Sequence, residues 1–86
     1  MNRVIAIEPK DEYILVLEFN DGFRKEINFK NYIGNGVSEK LVDPDYFKLV
    51  QIDNGGGIEW PNGFDFCPNF LRENMDEVLV SINNVQ

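Results

Sequence analysis

The side chains in this chain that can do chemistry are fifteen carboxylates and one thiol, with no histidine among the 86 residues. Without imidazole, histidine-based triads, imidazole general bases and most zinc sites are excluded. Asp43, Asp45, Asp53, Glu59 and Asp65 fall within residues 43 to 65. Paired carboxylates there would hold a hard cation or serve as general acid and base. The spacing favours neither. Asp53 is followed by NGGGIE rather than by the alternating oxygen ligands of a calcium loop, and Asp43 and Asp45 have a structural use at a helix start. Cys67 has no histidine to activate it, and its neighbours Phe66 and Pro68 point to burial. The glycines of DNGGG, 53 to 57, lack the Lys-Ser or Lys-Thr and the following helix of a phosphate cradle, so they read as a hairpin loop. We therefore expect no catalytic residue, no metal and no cofactor.

The densest stretch is GGGIEWPNGFDFCPNF, 55 to 70, with the sole tryptophan, the sole cysteine and three of the seven phenylalanines. Trp60 precedes a proline and must be extended. Strand alternation puts it with Ile58 on the face opposite Glu59, and a domain this small needs its large apolar side chains inside. Core packing with the indole N–H at the rim is favoured over an exposed anchor. Asn62-Gly63 is turn chemistry.

The elements that must position these residues follow from periodicity. Residues 3 to 9, 13 to 19 and 23 to 29 read as three antiparallel strands joined by short turns. In FNDGF, a three-residue loop with Gly22 in the left-handed region sets Phe19 opposite Phe23, Glu18 opposite Arg24, Leu15 opposite Ile27 and Tyr13 opposite Phe29. Its one mismatch is Leu17 opposite Lys25. Arg24, Glu26 and Asn28 then line a wet face. Residues 30 to 42 hold two glycines and read as a turn or two of helix broken by loop. Asp43 caps a helix that Pro44 opens. FKLVQID returns to strand, IEW and FDF extend, and Pro68 starts a second helix through about Asn74. The fold class is α+β: a small antiparallel meander sheet with one or two short helices, a single layer of helix against one sheet face. Residues 1–75 form the domain and 76–86 an extension, in which VLVSI, 78 to 82, pairs with a sheet edge of its own chain or, in a homodimer, of a second copy.

The formal net charge is −7. Residues 31 to 86 carry Lys40, Lys48 and Arg72 against nine carboxylates: Glu39, Asp43, Asp45, Asp53, Glu59, Asp65, Glu73, Asp76 and Glu77. Clustered cations for phosphate contacts are missing there, so direct nucleic-acid binding is not expected, and a basic protein partner would be steered to this part of the chain. Plain solubility explains the same charge. No apolar run approaches the roughly 20 residues of a membrane span, and the lone cysteine and the N-terminal sequence point to the cytoplasm.

Three ordered segments carry a resemblance: Y-x-L-x-L-x-F-x-D-G at Tyr13 to Gly22, L-V-D-P-D-Y-F at Leu41 to Phe47, and I-E-W-P-N-G-F-D-F-C-P-N-F-L at Ile58 to Leu71. Together they resemble the bacterial family catalogued as domain of unknown function 2442, over residues 3 to about 73. The resemblance implies a small α+β fold, sometimes fused to a helix-turn-helix that this chain lacks after residue 75. It also implies a gene often set beside a second small protein, in arrangements like toxin–antitoxin pairs. It supplies no catalytic residues.

These readings lead to a non-enzymatic protein-interaction module, an antitoxin-like or accessory member of a two-protein bacterial system. Its candidate partner-binding residues are Asp43, Asp45, Glu59, Trp60, Asn62 and Asp65. The alternatives are an acidic inhibitor or nucleic-acid mimic using the same charge, and an enzyme or metal-binding domain using clustered carboxylates.

Overall fold

The computed structural model describes residues 2 to 78. Its α+β chain runs β1 (Val4–Lys10), β2 (Ile14–Phe19) and β3 (Arg24–Asn28), then two 3-10 segments at Lys30–Tyr32 and Gly36–Val42, then α1 (Pro44–Phe47). β4 (Gln51–Ile52), β5 (Ile58–Glu59), β6 (Asp65–Phe66) and α2 (Pro68–Glu73) follow. The strands are all antiparallel, as expected, and divide into two three-stranded meanders, β1-β2-β3 and β4-β5-β6. A backbone hydrogen bond from Val4 N–H to the Gly56 carbonyl, 2.7 Å, joins them.

The register of the first meander is the one that FNDGF dictates. Leu15 pairs with Ile27, Leu17 with Lys25 and Glu18 with Arg24. Gly22 takes φ +90°, a conformation costly for any residue with a Cβ. The Asp21 carboxylate accepts from Phe23 N–H at 3.1 Å. PNGF in the second meander repeats this turn: Trp60 N–H donates to the Phe64 carbonyl, Gly63 N–H to the Trp60 carbonyl, and the Asn62 side-chain oxygen accepts from Phe64 N–H. The dense stretch is therefore a hairpin feeding a helix.

Alternation sends Leu15, Leu17, Phe19 and Ile27 from the first sheet, and Ile58 and Trp60 from the second segment, into one core with Phe29, Leu41, Phe47, Leu71 and Met75. Asp43 caps α1 by accepting from Asp45 N–H at 3.0 Å. FKLVQID departs from the expectation: Phe47 closes α1, and strand is confined to Gln51 and Ile52. The Asp43 cap and Pro44 start a helix of which Phe47 is the last residue, so Phe47 does not begin the strand. Cys67 is exposed rather than buried, because Phe66 turns towards the core and the next side chain faces away. Glu77 bridges Ile27, and Val78 N–H donates to the Glu26 carbonyl at 2.7 Å, so the chain reaches the free edge of β3. The rest of the expected strand, 79 to 82, lies outside the described residues.

Candidate functional site

Ile58 faces the core at the middle of the second meander, so its sequence neighbour Glu59 faces out. Glu59 pairs with Gln51 on β4 and with Asp65 on β6, and all three are exposed. Two carboxylates thus stand directly opposite each other on adjacent strands, a pairing that is destabilising in isolation. Among the described residues, no lysine or arginine bridges either one. The outer face of the second sheet thus carries an opposed carboxylate pair with no ion-pair partner among the described residues.

The other candidate residues separate by geometry. Asp45 is exposed. The Asp43 carboxylate is engaged by the α1 cap. Asn62 is engaged at both ends of its amide, its oxygen by Phe64 N–H and its nitrogen by the Val37 carbonyl at 2.7 Å. Trp60 must be removed from the set: it is 1% exposed, and its indole N–H donates to the Phe47 carbonyl at 2.8 Å within the core rather than at the rim. Its ring meets Phe29, Phe47, Phe64 and Phe66 at centroid distances of 5.6 to 6.2 Å. Among the described residues, no three of His, Cys, Asp or Glu gather as a metal-binding group. No helix of the described residues is long and apolar enough to cross a membrane.

Two cations have structural partners that sequence reasoning missed. Lys25, the mismatch opposite Leu17, is 6% exposed and donates to the Leu71 and Arg72 carbonyls at the end of α2, at 2.8 and 2.9 Å. Burial lowers its pKa, against the opposing pull of the Glu77 carboxylate. Arg72 lies over the rings of Phe23 and Phe19, 4.2 and 5.1 Å from their centroids, and forks onto both oxygens of Asp21. Hydrogen bonds from Arg72 and then from Phe23 N–H hold the Asp21 carboxyl below its ordinary range. Sequence reasoning also passed over a run of rings that reaches the surface at its two ends, Tyr32, Phe66 and Phe70. The four-residue spacing of Phe66 and Phe70 across a helix start was its one visible sign.

A family model described as "Protein of unknown function (DUF2442)" matches residues 4–77. The chain belongs to that family. The match to DUF2442 begins at the first residue of β1 and ends at Glu77, the residue that bridges β3. It therefore takes in both meanders and both helices, and the Trp-Pro-Asn-Gly turn with them. No curated protein and no solved structure matches the chain.

Proposed function

We propose that this chain is a non-enzymatic protein-interaction module that binds a basic partner through the outer face of its second sheet. The observation that carries the reading is the pair Glu59 and Asp65, opposed on neighbouring strands and exposed, with no cation bridging either among the described residues. A carboxylate pair that weakens its own sheet is explained when a partner brings the missing positive charge. The net charge of −7 steers such a partner and repels nucleic acid. The assignment to a two-protein bacterial system, as its antitoxin-like or accessory member in the cytoplasm, rests on the gene arrangement that the family resemblance implies.

The test is co-expression with the protein encoded by the adjacent gene. The two proteins are expected to co-purify, with an affinity that falls as salt rises. The double variant Glu59→Gln/Asp65→Asn should weaken the complex at least tenfold while leaving the free chain at least as thermally stable. No complex, or a complex indifferent to the double variant, overturns the reading.

A further inference from the structure

With Trp60 in the core, the proposed interface lacks an apolar anchor at the position where the sequence suggested one. A different set of rings reaches the surface. Phe66, half-buried on β6, lies 6.1 Å from Phe70 at an interplanar angle of 15° and 6.2 Å from Tyr32 at 87°. Phe70 is 37% exposed and Tyr32 36%, so the row opens to solvent at both ends. Beside Tyr32 the surface falls into a depression of about 300 Å³ that Tyr32 shares with Asp76 and Glu77, with Lys30 as its lining cation. Glu73, three residues after Phe70 on α2, adds an exposed carboxylate on the same flank.

We propose that the Tyr32–Phe66–Phe70 row seats an arginine from a basic segment of a protein partner. The guanidinium stacks on the rings while Asp76 and Glu77 accept its hydrogen bonds. This rests on the basic-partner reading above and names its anchor. Arginine fits because its flat, weakly hydrated guanidinium both stacks on an aromatic face and forks onto carboxylates, whereas a lysine ammonium is compact and strongly hydrated. A purely apolar segment would bury Asp76 and Glu77 without replacing their water. The same chemistry already operates inside the chain, where Arg72 stacks on Phe23 and forks onto Asp21.

The experiment titrates the full chain with nona-arginine and, separately, with nona-lysine, following ring and amide resonances by NMR and affinity by calorimetry. Nona-arginine is expected to bind about three- to fivefold more tightly than nona-lysine and to shift the Tyr32, Phe66 and Phe70 ring protons. Phe70→Leu should abolish that preference, and Tyr32→Leu provides a second variant should the first fail to fold. Asp65→Asn should weaken both peptides and leave their ratio unchanged. Equal affinity for the two peptides in the natural chain overturns the aromatic seat and leaves the acidic-face reading standing. An arginine preference that survives both ring variants overturns it as well. Failure of both peptides to bind counts against the seat and the basic-partner reading together.

Discussion

The ammonium of Lys25 on β3 donates to the carbonyl oxygen of Leu71 on α2 at 2.8 Å, across 46 residues of sequence. A helix leaves its last carbonyls without intrahelical donors, and Lys25 supplies two of them by also reaching Arg72. What is a mismatch in strand pairing, Lys25 opposite Leu17, is the joint between the first sheet and the second helix.

Replacing Lys25 by Met keeps the length and apolar stem of the side chain and leaves those carbonyls unpaired. Lys25→Met should therefore cost about 1–3 kcal/mol, read as a lower urea midpoint. A variant as stable as the natural chain would show that water satisfies the helix end equally well.

Trp60→Ala should cost about 3–5 kcal/mol, since the buried ring touches four phenylalanines and its N–H is paired inside the core. Thermal unfolding of the variant checks this. Loss of partner binding with an unchanged midpoint would instead return Trp60 to the interface.

Glu12 and Tyr13, in the loop between β1 and β2, both take positive φ, 63° and 67°. Glu12 is exposed, so Glu12→Gly should raise stability by about 0.5–1 kcal/mol, relief of left-handed strain outweighing the added freedom of the unfolded chain. Tyr13→Gly should do the reverse. It removes the hydroxyl that donates to the Val42 carbonyl at 2.5 Å and the ring set edge-on to Phe47. Chemical denaturation of the two variants side by side tests the contrast.

Asp65→Asn removes one member of the opposed carboxylate pair on β5 and β6. The variant should gain about 0.2–1 kcal/mol at low salt, a gain that shrinks as salt screens the natural pair. The comparison is of melting midpoints at two ionic strengths. A stability gain accompanied by weaker partner binding is the outcome expected of a surface kept for function.

Asp21 sets an acid limb in the stability curve. Hydrogen bonds from Arg72 and Phe23 hold its folded pKa below the ordinary 3.8, so the folded state favours the carboxylate. Its contribution is complete above the unfolded value and disappears as pH falls through the folded one. The midpoint difference between the natural chain and Asp21→Asn should therefore be largest above about pH 5 and shrink towards zero in stronger acid. A difference that stays constant across that range would remove the Asp21–Arg72 pair as its source.

Much of the backbone was legible in the sequence because its causes are local. Gly22 and Gly63 relieve left-handed turn positions, Asp43 and Pro44 start α1, and alternation orients Ile58, Glu59 and Trp60, each within a few residues of its own effect. The limits of that reasoning show at β4, where the α1 cap takes Phe47 out of the strand, and at Cys67, where hydrophobic neighbours suggested burial but alternation put the thiol outside. Tertiary structure alone decided how distant residues meet: Trp60 with the Phe47 carbonyl, Lys25 with the end of α2, and Tyr32 with Phe66. Alternation tells which face of a strand a side chain occupies, and turn residues tell where the chain reverses. Neither tells which distant carbonyl or ring the closed chain brings within a few ångströms, because that depends on how two meanders and two helices fill one shared core.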